Sequence, residues 1–178
     1  MLARYLTLPV ALATSLKPEM VMQAVIRRAI APDLAALNEL MRQSSAYRGK
    51  YSAILEGYSV TPEQLATDDV YVLEEARKIL GFYSLINIAS SPELDLMFVA
   101  DESQGKQIGA TLFAHMKQKA VSLGANEVKI VSHPPAEAFY VRMGAEKVGV
   151  KAPSGRVTWE RPILLLRVAW TGRSSGPL

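Results

Sequence analysis

The sequence of 178 residues contains no cysteine at all. This absence excludes disulfide bridges, thiolate zinc sites and cysteine nucleophiles as the basis of its function. Histidine is nearly as scarce, with only His115 and His133 in the whole chain. A histidine-rich metal site is therefore not expected, and we predict a function that needs no metal.

Long apolar runs and clusters of basic residues are also missing. No uninterrupted apolar stretch approaches the roughly 20 residues that span a bilayer, so we expect no membrane association. The net charge of +3 suits an anionic ligand. However, the chain has no basic run of the kind that follows a nucleic-acid backbone, so we predict that it does not bind nucleic acid.

The remaining composition is typical of a globular protein, with 49% hydrophobic and 21% charged residues. The length suits one domain with a substantial core, which we place at residues 22–169. Residues 1–21 are predicted to be an N-terminal extension that is poorly ordered or packed on the domain. Residues 170–178 have the composition of a flexible tail.

A short apolar run near the N-terminus, residues 5–12, follows Arg4 and ends at small residues. Secretion signals share these features, but the run is at the short end of their range and Pro9 interrupts it. We therefore favour an extension over a signal, and we expect a cytoplasmic protein.

Hydrophobic periodicity and turn residues predict the element order β-α-α-β-β-β-α-β-α-β-β. The predicted strands cover residues 24–30, 69–74, 79–88, 93–99, 127–131, 146–150 and 163–168. The short polar turn at 75–78 predicts an antiparallel hairpin, whereas the strand, helix and strand within 93–131 predict a crossover between parallel strands. The expected fold class is α+β, with a mixed, mostly antiparallel sheet, a central βαβ crossover and helices on both faces.

Residues 44–58 are rich in tyrosine. Tyr47, Tyr51 and Tyr58, together with Ile54, recur at intervals that suit a short helix. These tyrosines either pack on the core or line a substrate pocket, and packing is the favoured role.

A glycine-bearing turn at residues 104–109 lies between a predicted strand and the amphipathic helix that begins at Ile108. The first N–H groups of a helix have no partners within the helix, and the helix dipole favours negative charge there. Glycine lets the backbone come close to a phosphate. The turn therefore predicts a site for the pyrophosphate of a nucleotide-like cofactor, although plain turns at helix starts use glycine as well.

This turn resembles the acetyl-CoA loop of the GNAT acetyltransferase superfamily, which reads Gln or Arg, two residues, Gly, one residue, then Gly or Ala. Gln104, Ile108 and Gly109 fit that pattern. Gly105-Lys106 is a common filling of the two free positions. Gln107 departs from the pattern, because the family usually has glycine there.

A second stretch, Phe139-Tyr140 followed by Arg-Met-Gly-Ala at 142–145, resembles another GNAT signature. The resemblance implies that Tyr140 lies near the CoA sulfur and protonates the departing thiolate, since a phenol of pKa about 10 keeps its proton at neutral pH. A packed tyrosine with a local hydroxyl partner is the alternative. The family often has asparagine or another polar residue at the position of Pro135, so we expect that contact with CoA to be missing or replaced.

The resemblance extends to the order of elements over residues 22–169 and implies a general base. Glu93 lies eleven residues before Gln104, the spacing of the glutamate that histone-type members use as a base. Asp95 shares its strand face, and His133 is a weaker candidate. A solvent-facing carboxylate near a turn is the alternative interpretation of Glu93.

The resemblance also implies that acetyl-CoA is the acyl donor and that a primary amine attacks it directly. The residues expected to bind the cofactor are Met97, Phe98, Val99, Gln104, Gly105, Lys106, Gln107, Ile108, Gly109, Ala110 and Phe139. The backbone N–H at Phe98 or Val99 would stabilise the oxyanion. The acceptor is either a small-molecule amine or an amine of a peptide or protein, and the chain acts as either a monomer or a homodimer.

Two other functions compete with this prediction. A non-catalytic acyl-CoA-binding sensor or regulatory module would use the same cleft. A P-loop nucleotide enzyme is suggested by Gly105-Lys106, but no Ser or Thr follows to hold magnesium and the full spacing fails.

Overall fold

The computed structural model describes residues 23–88 and 91–168. The predicted extension at 1–21 and tail at 170–178 lie outside these residues. No helix of the described ranges is both long enough and apolar enough to cross a membrane.

In the described ranges, seven strands form one sheet. In chain order they are β1 (Val25–Arg28), β2 (Asp69–Glu75), β3 (Lys78–Ile86), β4 (Glu93–Val99), β5 (Glu127–Val131), β6 (Glu146–Lys151) and β7 (Arg161–Arg167). Their order in the sheet is β1-β2-β3-β4-β5-β7-β6. All neighbours are antiparallel except β4 and β5, which are parallel. The predicted mixed sheet with one central crossover is confirmed.

Four α-helices complete the fold of the part of the chain that the structure describes. They are α1 (Leu34–Gln43), α2 (Pro62–Thr67), α3 (Ile108–Ser122) and α4 (Glu137–Arg142). Thr61 caps the start of α2, because its hydroxyl accepts a hydrogen bond from the Gln64 N–H at 3.2 Å.

The segment from 44 to 58 differs from its prediction. Instead of one short helix it forms two 3₁₀ segments, Ser45–Tyr47 and Gly49–Ile54. Arg48 lies between them in an extended conformation, and Gly49, which begins the second segment, has φ +63°, so the chain cannot continue as one helix.

The two faces of the sheet carry separate apolar clusters. On one face α3 buries Leu112, Phe113, Met116 and Ala120 against Tyr83. On the other face α1 buries Leu37, Leu40 and Met41 against strand residues that include Phe82. Fully burying one such side chain contributes about 1.5–3 kcal/mol, so both helices are held firmly. Helices cover both faces, as predicted.

The parallel strands β4 and β5 touch only at one end. They pair at Glu93 with Lys129 and at Leu94 with Ile130, whereas β4 pairs with β3 along its whole length. Beyond Leu94 the two strands separate. The edge of β4 that faces β5 is therefore left without a neighbouring strand.

A bulge in β4 lies where this separation begins. Ser84 of β3 is opposite Leu96, and the next residue, Leu85, is opposite Leu94, so Asp95 has no partner. The extra residue changes the alternation of side chains. Leu94 consequently joins the α3 cluster while Leu96 joins the α1 cluster.

Candidate active site

A cleft of about 540 Å³ opens where β4 and β5 separate. Its walls are β4, the start of α3, the end of β5 and α4, and part of the segment from 44 to 58 also reaches it. This volume is within the usual range for ligand sites, about 300–1,000 Å³.

Most of the residues that the sequence nominated line this one cleft. They are Met97, Phe98, Val99, Gln104, Gly105, Gln107, Ile108, Gly109, Ala110, Phe139 and Tyr140. Two nominated residues, Lys106 and Glu93, are not part of its lining. The fold thus brings residues 97–110 together with Phe139 and Tyr140, which come much later in the sequence.

The start of α3 presents a group of backbone donors to the cleft. Within the described residues, the N–H groups of Gly105 and Gln107 and of the first three helical residues, 108–110, have no hydrogen-bond partner. Gly105 has φ +78° and Gln107 has φ +62°, and these left-handed residues turn the chain sharply into the helix. Free N–H groups at the positive end of a helix dipole form an anion site.

The backbone conformation of Gln107 shows how the turn forms although this residue departs from the family pattern. It is the residue immediately before α3 and adopts φ 62° and ψ 9°, with no side-chain cap. Glycine reaches this conformation at no steric cost, whereas other residues pay about 1–2 kcal/mol. The turn forms with glutamine in place of glycine, and the backbone donors stay in position.

Phe139 connects α4 to the start of α3. A Cβ placed on Gly109 would lie 3.5 Å from the Phe139 ring and 3.7 Å from Val99. The Phe139 ring also packs edge-on against Tyr140, with centroids 5.3 Å apart. Close packing of these rings fixes the direction in which Tyr140 points.

Tyr140 is almost completely buried at 8% exposure, and it lines the cleft. No hydrogen-bond partner of its hydroxyl occurs among the described residues. Burial raises its pKa above the ordinary value, and the nearby Tyr47 raises it further. Tyr140 therefore keeps its proton at neutral pH and can donate it.

The backbone of β4 alternates its polar groups between β3 and the cleft. The Ala100 N–H donates to the Leu80 carbonyl of β3 at 2.9 Å, and the Phe98 carbonyl oxygen lies close to Gly81 of β3. Adjacent strand residues point their N–H and C=O groups to opposite edges. Met97 and Val99 therefore present theirs to the cleft, so of the two oxyanion donors nominated from the sequence Val99 faces the site.

Glu93 lies at the closed end of the cleft. Its carboxylate forms an ion pair with Lys129 at 3.0 Å, because the parallel register places these two residues side by side. The structure does not bring Glu93 to the other site residues.

Asp95, the bulge residue, does line the cleft. Its carboxylate is 3.4 Å from the Tyr58 hydroxyl and 3.4 Å from Gln64 Nε2. The surrounding protein removes part of its hydration and raises its pKa, and the negative charges of Asp68 and Glu93 act in the same direction.

His133 also lines the cleft, and it is buried. Its Nε2 donates to the Ala46 carbonyl at 2.7 Å, and its ring stacks on Tyr47 with centroids 4.4 Å apart. Burial lowers the pKa of His133. Pro135 is exposed and outside the lining.

Some lining residues were not nominated from the sequence. They are Ser44, Ala46, Tyr47, Ser103, Ile130, Val131, Ser132, Ala136 and Arg142, together with Leu94. Tyr47 both packs on Phe98, with ring centroids 5.1 Å apart, and faces the cleft. The tyrosine-rich segment was the sequence signal that could have identified Tyr47 as a lining residue. The serine and alanine residues in the list have no such signal.

Comparisons with known proteins agree with this geometry. The sequence model of the acetyltransferase (GNAT) domain matches residues 56–155, and no curated protein sequence matches the chain. The PaiA N-acetyltransferase of Thermoplasma acidophilum, solved with coenzyme A, is similar with a TM-score of 0.69 and 24% identity, over 82% of this chain and 99% of that one.

Two other solved structures show the same fold. A probable acetyltransferase from Staphylococcus epidermidis has a TM-score of 0.70 and 16% identity, over 83% of this chain and 100% of that one. The ribosomal-protein-S18-alanine N-acetyltransferase of Escherichia coli has a TM-score of 0.65 and 15% identity, over 85% and 98% of the two chains. Because the domain match covers more than half of the sequence, and the fold agrees, this chain belongs to the GNAT acetyltransferase family.

Proposed function

We propose that the protein is an N-acetyltransferase that moves an acetyl group from acetyl-CoA to a primary amine by direct attack. One observation carries this proposal. A single cleft joins the free N–H groups at the start of α3, the unpaired edge of β4 and the protonated hydroxyl of Tyr140.

Each part suits a different part of the donor. The backbone donors at Gly105 and at residues 107–110 suit the pyrophosphate. The free edge of β4 suits the amide groups of the pantetheine arm, which can bond to it as a strand would. Tyr140 suits the sulfur, which becomes a thiolate. The proposal is in keeping with the coenzyme A in the PaiA structure.

The reaction itself needs few groups. The amine nitrogen attacks the thioester carbonyl carbon, and the Val99 N–H donates to the oxygen that becomes negative. The C–S bond then breaks, its electron pair goes to sulfur, and Tyr140 supplies a proton to give free CoA.

The amine must also lose a proton. The resemblance implied Glu93 as the base, but its ion pair with Lys129 and its place outside the cleft lining give that role no support. Asp95 instead places a negative charge inside the cleft, where it attracts the ammonium form of the acceptor. A small-molecule amine and a peptide or protein amine both suit this charge.

The release of free thiol tests the proposal. Purified protein is mixed with acetyl-CoA and a panel of amines: spermidine, phenethylamine, lysine and short peptides with free N-termini. We expect at least one amine to raise thiol release well above the rate without amine. Tight CoA binding with no amine-dependent thiol would favour the sensor function, and preferential binding of ATP would favour a nucleotide enzyme.

Tyr140→Phe gives the matched variant for this assay. The substitution removes only the hydroxyl, so we expect kcat to fall by about 10²–10⁴, the range known for general acids, while the Kd for CoA stays within about twofold. An unchanged kcat would make Tyr140 a packing residue.

A further inference from the structure

His133 has one ring nitrogen that nothing in the described part of the protein satisfies. Its Nε2 is 2.7 Å from the Ala46 carbonyl oxygen, whereas its Nδ1 is buried without a hydrogen-bond partner. Buried polar groups nearly always find a partner. Because Nδ1 of His133 is an exception, it is a candidate for a group that acts on a ligand.

The contact with Ala46 fixes the proton on the ring. A carbonyl oxygen can only accept, so Nε2 carries the hydrogen and Nδ1 carries a lone pair. The ring cannot easily turn, because it stacks on Tyr47 at an interplanar angle of 21° and meets the edge of Tyr51 with centroids 4.3 Å apart. His133 therefore offers a fixed proton acceptor.

His133 belongs to the same cleft as the rest of the site. His133, Asp95 and Tyr140 all line it, and Tyr47 lies among them. The Tyr47 ring stacks on His133 with centroids 4.4 Å apart and packs on Phe98 of β4 with centroids 5.1 Å apart. His133 is therefore close to the β4 wall of the cleft.

We propose that Nδ1 of His133 accepts the proton that the acceptor amine loses, and that Asp95 holds the amine beside it. This assignment rests on the proposed acetyl transfer. The nitrogen forms its bond to the carbonyl carbon and gives one N–H proton to His133. Tyr140 gives a different proton to the thiolate, and both side chains return to their starting states by exchange with solvent.

The surroundings favour His133 over Asp95 for this step. An ordinary imidazole has a pKa of about 6.5 and an ordinary aspartate about 3.9, and a base works best near the operating pH. Burial reduces the difference between the two pKa values, since it lowers the pKa of His133 and raises that of Asp95. The difference that remains is structural: Asp95 is already near two donors, Tyr58 and Gln64, whereas Nδ1 has none.

Other titratable or charged groups around His133 come from three elements. They are Tyr47 and Tyr51 of the segment from 44 to 58, Asp95 of β4, and Tyr140 and Arg142 of α4. Lys50 lies outside Tyr51, with its Nζ 4.9 Å from that ring centroid. The tyrosines are neutral near pH 7. A limb in the pH profile between about 5 and 7 therefore reports His133 or Asp95, and separate variants distinguish the two.

The test uses His133→Gln and Asp95→Asn with acetyl-CoA and the best amine of the panel. Glutamine can still donate to Ala46 but has no basic nitrogen. We expect His133→Gln to lower kcat by about 10²–10⁴, to abolish the decline of kcat at acid pH, and to leave the Kd for CoA unchanged. Asp95→Asn should raise KM for the amine and keep the acid limb.

An acid limb that persists in His133→Gln but disappears in Asp95→Asn would overturn the proposal. Wild-type kcat in His133→Gln would overturn it too. Nitrogen NMR of the free protein adds a readout independent of turnover: the ring should be neutral at pH 7 with its proton on Nε2, and a proton on Nδ1 contradicts the assignment. Thiol release that no amine stimulates would instead refute the acetyl transfer itself.

Discussion

Gln107 is a polar residue with a side chain in a backbone conformation that favours glycine. Replacing it with glycine removes the left-handed strain, about 1–2 kcal/mol, but increases the entropy of the unfolded chain, which offsets about 0.4–1 kcal/mol. We expect Gln107→Gly to leave the free energy of unfolding unchanged or raise it by up to about 1.6 kcal/mol. Urea denaturation measures the difference.

Lys106→Gly is the control for this variant, since Lys106 is the adjacent residue and its φ is not positive. Glycine at position 106 increases the entropy of the unfolded chain and relieves no strain. We therefore expect the free energy of unfolding to fall by about 0.5–1 kcal/mol. Equal losses in the two variants would contradict our account of the turn.

The sequence predicted which residues line the cleft better than it predicted what each of them does there. The loop residues, Phe139 and Tyr140 could be found because local patterns carry them. The ion pair of Glu93 depends on its register with Lys129, and the placement of Asp95 depends on a bulge. Neither is written in a local pattern, because both follow from pairing between distant strands.

Helix α3 is the element that would hold the phosphate. Gly109 is in its first turn, next to the free N–H groups, and a Cβ there would make only ordinary contacts of 3.5 Å or more. We therefore expect Gly109→Ala to bind CoA within about threefold of the wild type. Gly109→Asp adds a negative charge at the anion site, and we expect its Kd for CoA to rise at least a hundredfold, about 2.7 kcal/mol.

Calorimetric titration of CoA into folded variants measures both effects. An aspartate variant that keeps wild-type affinity would remove the phosphate assignment. A loss in the alanine variant equal to that in the aspartate variant would point to shape rather than charge.

The elements themselves were largely predictable, because amphipathic helices and alternating strands carry strong periodic signals. The tyrosine-rich segment misled the prediction, since helical spacing there is overridden by the left-handed Gly49. The separation of β4 from β5 could not be predicted either. A strand pattern shows which residues are extended but not how far two strands stay paired.

At the scale of the whole molecule, an ion cluster ties the edge strand to the domain. Arg27 of β1 binds Asp33, which precedes α1, through two hydrogen bonds of 2.7 and 2.9 Å, and it also binds Glu74 of β2. Asp33 is 9% exposed and also accepts from the Ile30 N–H at 2.8 Å. We expect Asp33→Asn to lower the free energy of unfolding by about 1–3 kcal/mol at pH 7.

This loss should depend on pH. Hydrogen bonds from Arg27 hold the pKa of Asp33 below its ordinary value. A lowered pKa stabilises the folded state above the unfolded pKa, about 3.9, and that contribution disappears as pH falls through the folded pKa. The difference between wild type and Asp33→Asn should therefore be full at pH 6 and shrink below about pH 4.

Glu39→Gln is the control for Asp33→Asn. Glu39 pairs with Arg42 on the exposed face of α1, and such pairs contribute less than about 1 kcal/mol. A pH-independent loss in Asp33→Asn, or an equal loss in the control, would contradict the account of the cluster.

We propose that the protein transfers an acetyl group from acetyl-CoA to an amine in this cleft. The most direct measurement of this transfer uses acetyl-CoA labelled in the acetyl group, with the products identified by mass spectrometry. If the acetyl group moves to the amine, labelled acetyl amide and free CoA should form in equal amounts. Labelled acetate in place of the amide, or label that stays on CoA with every amine, would contradict the proposal.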